Sequence, residues 1–546
     1  MLALPSVAQR TAPHDKTLQG HWDPPFQHPL GDFTAPPAFF NALHLSLIPV
    51  GPLRGQIFAF DLNEDQTGTD WLQRYAVIDV SGPGAPTFEN AELPMPTNGG
   101  DLFCAGHAWM SDGCLFIAGG TTEYPGAGPG LHPGQFLGGR LAYVWDPRVG
   151  PAGTWHRQPD MKLDRWYPTV TLLPDSSLLV TGGVPNTEDY TPHDNYQVFE
   201  PGPSGGIGQW EINQIDTLFS GPGGYAAFTI YPRIHLLFSG HQYASGMGTA
   251  TARLNHAAAP GEWTTTANSA YTFRNYGTSV LLPNIPGLQE DVVLRLGGYA
   301  WDKGPIGVVA SAELVHAAAD SSPSWDWQPA ASMKRPRMHP CAVLLPTGDV
   351  LVVGGRTNPT TMWPEEFALV PELYRPASDT WRDMAPGASA RTYHSTALLL
   401  PDGRVLSAAG NTSTEDYQIF HPPYLFTGLP RPNITAAPEV LLYRTSQPRT
   451  YTAEFDALPA GDSVTRVVLI APGSTTHHFD QSMRFIELEV VEATDTNITF
   501  QPPTNAAEAP VGYYMMFLVS EGGIPSVASW VHVERPRRDT SPLRLR

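Results

Sequence analysis

Cysteine is scarce: the chain carries three, Cys104, Cys114 and Cys341, in 546 residues. Three thiols cannot build a disulfide framework, so the fold has to stand on packing. Charge is thin as well, with Asp, Glu, Lys and Arg at only 15% of the chain. Long helices with ion-paired outer faces need more than that. The 32 basic residues face 52 acidic ones, for a net charge of -20. Nucleic acid and anionic membrane surfaces are bound by clustered Lys and Arg, so both are excluded as expected partners. No apolar run approaches the length of a membrane span. The first residues, MLALPSVAQRTAPHDK, show no charged start followed by a long apolar segment, so no secretion signal is visible.

Glycine (52) and proline (56) are what the chain has in quantity. With so little charge, this composition predicts an all-β fold of short strands and turns. A repeat organises it. CAGHAWMSDGCLFIAGG from Cys104, YPTVTLLPDSSLLVTGG from Tyr167, HPCAVLLPTGDVLVVGG from His339 and HSTALLLPDGRVLSAAG from His394 each begin fifteen places before a pair of small residues. Weaker copies begin at Tyr225 and Tyr276, and a degenerate one at His44. After the small pair comes a strand ending in an aromatic residue, as in AYVWDP, YQVFEP and YQIFHPP. A Trp then precedes the next copy, at Trp155, Trp210, Trp263, Trp325 or Trp327, and Trp381.

The copies follow one another at intervals of about 50 to 60 residues, the length of a four-stranded propeller blade with variable loops. Seven units are expected to form a seven-bladed propeller over residues 21–430, its first blade starting near Gln19-Gly20-His21-Trp22. Residues 1–20 read as a mobile lead-in. Beyond about residue 430 the repeat stops, and residues 431–546 alternate apolar and polar positions between turns, as in an immunoglobulin-like β-sandwich.

Equivalent places in a repeat are equivalent places in space. In a propeller the inner strands line the axis, so Cys104, Tyr167, Tyr225, Tyr276, His339 and His394 are expected to converge at one mouth of the channel. These are thiol, phenol and imidazole groups, all of them metal-binding. An isolated phenol is a poor ligand at neutral pH, so phenolate ligation needs a strong Lewis acid. A set of N and O donors from Tyr167, Tyr393 and His394 fits copper better than magnesium or calcium. A fourth donor would come from His477 or His478 in GSTTHH, if that loop reaches the channel. Cys114 and Cys341 lie inside apolar strands and read as small core residues.

FCAGH at 103–107, RWYPT at 165–169, RTYHSTALLLPDGRV at 391–405 and GSTTHHFDQ at 473–481 resemble the copper-radical oxidase family of galactose oxidase and glyoxal oxidase. The resemblance spans nearly the whole chain from about residue 20 and extends to NAAEAPVGYYMMFLVSEGGIPSVASWVHV near the C-terminus. It implies a kelch-type propeller and one copper ion held by Tyr167, Tyr393, His394 and His477, with Cys104 joined to Tyr167 by a thioether that forms a radical cofactor. His477 is preferred to His478 because GSTTH matches the family spacing. Tyr167, Cys104 and Tyr393 are then the catalytic residues, with Tyr393 as base. The activity implied is oxidation of primary alcohols or aldehydes by O2, giving aldehydes or carboxylic acids and H2O2. Small alcohols, aldehydes and glycan termini are the expected substrates.

Tyr225, Tyr276 and His339 are not ligands in that family and are expected around the substrate or behind the ligands, with simple packing at the inner rim as the alternative. In galactose oxidase a Trp shields the thioether, at a place that is Pro185 here; Trp301 and Trp166 are candidates to replace it. With no sugar-binding sandwich visible before the propeller, the chain looks closer to the glyoxal oxidase and bacterial branch. His107, His193 and His235 read as structural hydrogen-bonders. Arg165 and Arg391 are expected to orient loops, to meet an anionic product or to lie on the surface. The competing account is a non-catalytic kelch propeller that binds a glycan or protein. A bare scaffold has no use for this donor set. An electron-transfer copper site is disfavoured, because blue-copper sites take Cys as a direct ligand. The chain is expected to act as a monomer. The chemistry favours a secreted or envelope-associated location, and the missing leader leaves a cytoplasmic one open.

Overall fold

The computed structural model describes residues 15–536, apart from 30–39, 62–71, 83, 96–99, 126–130, 133–135, 186–192, 194, 204–205, 212–229, 247, 249–250, 256–261, 267–273, 284–289, 301–306, 319–326, 360–365, 411–415 and 445–448. Strands dominate the described residues, as the composition predicted; the only α-helix among them is the single turn Lys16–Gln19. That turn lies within the expected lead-in and is capped by Asp15, whose side chain accepts the Thr17 amide.

Seven sheets follow one another along the chain, each running outward from an inner strand. The inner strands are His44–Leu47, Asp101–Trp109, Trp166–Leu172, Ile234–Leu236, Thr278–Leu281, Cys341–Leu344 and Thr396–Leu399. The second strand of each pairs antiparallel with the first, as Cys341 faces Val353 and Thr396 faces Ala408. These strands are apolar on both faces because each sheet is covered on both sides. Val350, Leu351 and Val352 are all fully buried, and none of them has a solvent face.

Inner strands adjoin in chain order from the second sheet to the fourth and from the fifth to the seventh, while the second is reached from the first through Ser474–Thr476. The fourth and fifth sheets are joined by His235 Nε2 and Ser279 Oγ at 2.7 Å, and the seventh meets the first where Thr396 Oγ1 donates to Ala42 O at 3.1 Å.

One sheet is completed differently from the expectation. His21 and Trp22 do not open the first sheet. They pair with His421 and Phe420 as the outer edge of the seventh, and Phe26 and Gln27 continue the edge opposite Tyr417 and Asp416. Trp22 therefore takes the outer-strand place that Trp155, Trp210, Trp327 and Trp381 hold elsewhere. Of the two candidates in the fifth sheet, Trp327 is on the outer strand, while Trp325 lies outside the described residues.

From Ile434 onward two further sheets pack face to face around Leu441, Phe455, Val467, Leu469, Phe500, Met516 and Leu518. A loop leaves the second of these sheets and enters the axis of the seven. There Ser474–Thr476 adds to the inner edge of the first sheet, pairing with Ser46, Leu45 and His44.

Candidate active site

The residues placed at the head of the inner strands share a backbone conformation. Cys104, Tyr167, Tyr276, His339 and His394 have φ of 65°, 66°, 57°, 62° and 69°. Left-handed backbone is unfavourable for residues with a Cβ, by roughly 1–2 kcal/mol each, so its recurrence marks a required geometry. It turns the chain sharply into each inner strand. Tyr225 lies outside the described residues. In the fourth sheet the equivalent residue is Tyr231, with φ 45°. Like Tyr167 and His339 it is followed by Pro, and it stands fifteen places before Gly246.

An arginine stands two residues before Tyr167, Tyr276 and His339, and three before His394. Arg165, Arg274 and Arg337 each donate to the carbonyl of the first residue of the glycine pair in their own sheet, Gly182, Gly297 and Gly354. Arg274, Arg337 and Arg391 also meet a buried acid on the third strand: Glu313 at 3.2 Å, Glu372 at 2.6 Å and Asp416 at 2.9 Å. Arg165 and Arg391 are thus buried clamps of their own sheets, and the product-binding and surface expectations for them are set aside. His193 and His235 hold Asp164 O and Ser279 Oγ, which agrees with a structural role.

The second and third sheets approach closely because Gly106 leaves room; a Cβ there would lie 2.6 Å from Pro168 O. That closeness puts the Cys104 thiol in one buried cluster with Tyr167 and Trp166. Burial drives the thiol well above its usual pKa, and the neighbouring Tyr167 hydroxyl partly opposes the rise. Tyr167 Oη lies against Tyr393 Oη, 3.3 Å from His394 Nε2 and 2.9 Å from His477 Nε2. Sγ of Cys104 is 3.8 Å from the same His477 nitrogen. Burial, followed by the Cys104 and Tyr393 groups, keeps the Tyr167 phenol protonated far above its normal range. Tyr393 and Tyr276 are half-buried, so the cluster opens to solvent on their side.

His477 and His478 come from the loop of the C-terminal sheets, both in left-handed backbone, φ 47° and 70°. Thr476 Oγ1 donates to Leu43 O, so it accepts the Nδ1 hydrogen of His477 at 2.7 Å. This leaves the His477 Nε2 lone pair facing Tyr167. His478 Nε2 instead lies 3.2 Å from Thr392 O, to which it can only donate. Arg233 clamps the loop from below, donating to His477 O at 3.4 Å, Gly277 O at 3.1 Å and Tyr231 O at 2.8 Å, with its guanidinium over Phe479. Burial pulls that guanidinium down to about 10. Thr278 Oγ1 donates to His478 O at 2.8 Å.

Rings enclose Tyr167. Trp166 stacks on it at 3.7 Å and 17°, and Tyr231 at 4.6 Å and 29°. Phe136 backs Trp166 at 5.1 Å. Trp301 lies outside the described residues. Tyr276 and His339 stand on the far side, the His339 ring 4.6 Å from Tyr276 and 5.1 Å from Tyr393. Among the described residues neither His339 nitrogen has a hydrogen-bond partner, although the residue is 2% exposed.

A family profile described as "Galactose oxidase-like, Early set domain" matches residues 431–533, and one described as "Glyoxal oxidase N-terminus" matches 307–425. The chain is 29% identical over 486 residues to the aldehyde oxidase GLOX of Vitis pseudoreticulata, covering 79% of this chain and 82% of that protein. It is 32% identical over 198 residues to a galactose oxidase of Gibberella zeae, a match spanning 35% of this chain and only 28% of the relative's length. A fungal alcohol oxidase of the AA5 family, solved in complex with copper, superposes with a TM-score of 0.72 at 20% identity, over 94% of this chain and 99% of that one. The two profiles follow the order of the propeller-like sheets and the sandwich, and the GLOX relative spans both; the chain is similar to galactose oxidase and glyoxal oxidase, the copper-radical oxidases.

Proposed function

We propose that the chain is a copper-dependent oxidase that takes primary alcohols to aldehydes, or hydrated aldehydes to carboxylic acids, reducing O2 to H2O2. The observation that carries this is the meeting of His394 Nε2, His477 Nε2 and the Tyr393 oxygen around the Tyr167 oxygen, with the Cys104 thiol alongside. Two imidazole nitrogens and two phenol oxygens are an N,O donor set of the kind that suits Cu(II). Burial holds His477 neutral, far below its usual pKa. A buried phenol and a half-buried one in contact repel each other when both ionise, so the Tyr167–Tyr393 pair fits a dication that would neutralise both phenolates.

Tyr167, Tyr393, His394 and His477 would hold the ion, and Cys104 and Tyr167 would form the thioether. When bound, copper supplies one oxidising equivalent and the linked Tyr167 ring the second. Tyr393, half-buried at the mouth, accepts the proton of the substrate hydroxyl on Oη. The Tyr167 oxygen takes the hydrogen from the substrate carbon, and Trp166 and Tyr231 exclude water from that ring. Tyr276 and His339 face the bound substrate. The reaction balances as RCH2OH + O2 giving RCHO + H2O2, or RCH(OH)2 + O2 giving RCOOH + H2O2.

The reading assigns the copper site to a propeller unit over residues 21–430, completed by one ligand from a sandwich unit over 431–546. The chain is taken to act as a monomer. Among the described residues no helix is long and apolar enough to cross a membrane. Release of H2O2 supports a secreted or envelope-associated location. Glycan termini remain within the proposed substrate range alongside small alcohols and aldehydes.

Peptide mapping of copper-loaded and copper-free protein tests the proposal. A linked peptide pair containing Cys104 and Tyr167, two hydrogens lighter than its parts and formed only with copper and oxygen, is the expected result. A free Cys104 thiol in copper-loaded protein would overturn it in favour of a binding propeller.

A further inference from the structure

The inner strand of the second sheet leaves its register just where it carries Cys104. Asp101 faces Thr121 and Ala105 faces Gly119, so Leu102, Phe103 and Cys104 bulge from the ladder. Backbone amides displaced into a dry interior must find other acceptors. All three find side chains. Leu102 donates to Gln73 Oε1 at 2.9 Å, Phe103 to Asp101 Oδ1 at 3.0 Å and Cys104 to His44 Nε2 at 3.2 Å.

The third of these bonds sets the position of every hydrogen in a longer chain. Because Nε2 of neutral His44 accepts, its hydrogen sits on Nδ1, which donates to His107 Nε2 at 3.0 Å. His107 therefore keeps its own hydrogen on Nδ1 and donates it to Ser474 Oγ at 2.5 Å. Ser474 sends its hydroxyl hydrogen to His107 O at 3.1 Å and receives that of Ser46 at 2.9 Å. His44, Ser46, Cys104, His107 and Ser474 are all fully buried, and the His44 ring stacks on Phe60 at 4.1 Å. The path runs from Cys104 on the second sheet to His44 on the first, back to His107 on the second, and from there to the loop that carries His477.

We infer that His44 is a positioning residue for thioether formation: its Nε2 holds the bulged backbone of Cys104 at φ 65° so that Sγ meets the Tyr167 ring, and His107 and Ser474 make that hold depend on the seated C-terminal loop. The inference rests on the cross-link reading given under Proposed function. In the step it serves, the Cys104 S–H bond and a Tyr167 ring C–H bond break and one C–S bond forms. The two electrons and two protons released pass to O2, giving H2O2. The ring and thiol carry out the chemistry; His44 acts on it only through the Cys104 backbone.

The test follows the linked Cys104–Tyr167 peptide over time after copper is added in air, with copper content measured in parallel. His44→Phe keeps the stack on Phe60 but removes the acceptor, and His44→Gln offers an amide oxygen near the lost Nε2. Linking about tenfold slower in His44→Phe at unchanged copper content, and restored in His44→Gln, is the expected result. Equal rates in wild type and His44→Phe would overturn the inference. Should His44→Phe not fold, Ser474→Ala interrupts the far end of the chain. Slower linking there supports the relay, and an unchanged rate overturns it. If wild type itself never links, the cross-link reading fails, an outcome distinct from either of these.

Discussion

The Nε2 of His477 lies 2.9 Å from the phenol oxygen of Tyr167, although 310 residues separate the two in the chain. The contact exists because the sandwich loop adds a strand to the first sheet and delivers His477 along the axis. His478, its neighbour, is turned toward Thr392 O. His477→Ala should therefore weaken copper binding by about 100-fold or more, since even partners behind a ligand cost 10- to 100-fold. His478→Ala should leave copper affinity within a few-fold of wild type. Titration of both apo-variants with copper separates the two residues, and equal losses would contradict the ligand assignment.

Cys104 shares a buried cluster with Tyr167 and is outside the proposed ligand set. Cys104→Ala should fold, bind copper and keep the Tyr167 contacts with His394 and His477, while losing the linked peptide and most H2O2 production. Copper content and peroxide release on the same preparation decide this. Full activity in Cys104→Ala would remove the thioether from the mechanism.

Tyr393→Phe removes the proposed base but leaves the half-buried ring in place. Loss of a positioned base is worth about a hundredfold to ten-thousandfold in kcat. Single-turnover rates on copper-loaded protein should fall by that order while copper stays bound. An unchanged rate would assign the proton to another group.

Much of this site could be read from the chain because each anchor is tied to a turn of fixed length. Cys104, Tyr167, His339 and His394 stand at the same distance from a small pair, and the shared left-handed φ is the physical reason. The fourth sheet has no such pair, only Gly246, so the frame slid to Tyr225; Tyr231-Pro232, matching Tyr167-Pro168 and His339-Pro340, was the usable sign. The edge strand at Trp22 was harder. Two residues that pair with His421 and Phe420 carry no periodicity of their own, and their place is set by the far end of the repeat. The arginines were visible but their direction was not. The glycine carbonyls of their own sheets, and the third-strand acids Glu313, Glu372 and Asp416, show that they point inward.

Those arginines lead to a stability prediction. Arg337 and Glu372 are both fully buried and 2.6 Å apart. Removing one partner leaves an uncompensated buried charge, which costs about 3–5 kcal/mol. Arg337→Met should lower unfolding stability by that order. Arg140→Ala, which breaks an exposed pair with Asp164, should cost only about 0–1 kcal/mol. Denaturant unfolding of both variants checks the contrast, and similar losses would show that the clamp is not what holds the sheet.

His339 should behave in the opposite way. Its imidazole is buried beside Tyr393 and Tyr276 with both nitrogens unpaired, and an unsatisfied buried polar group costs about 1–3 kcal/mol. On the reading proposed above, a side chain kept at that cost next to the proposed base would hold its hydrogen-bonding capacity for the substrate. His339→Leu fills similar space without polar atoms, so it should leave stability equal or higher while raising KM by about tenfold, the worth of one hydrogen bond. Thermal unfolding and steady-state kinetics on the same sample give both numbers. A variant that is less stable, with KM unchanged, would make His339 a packing residue after all.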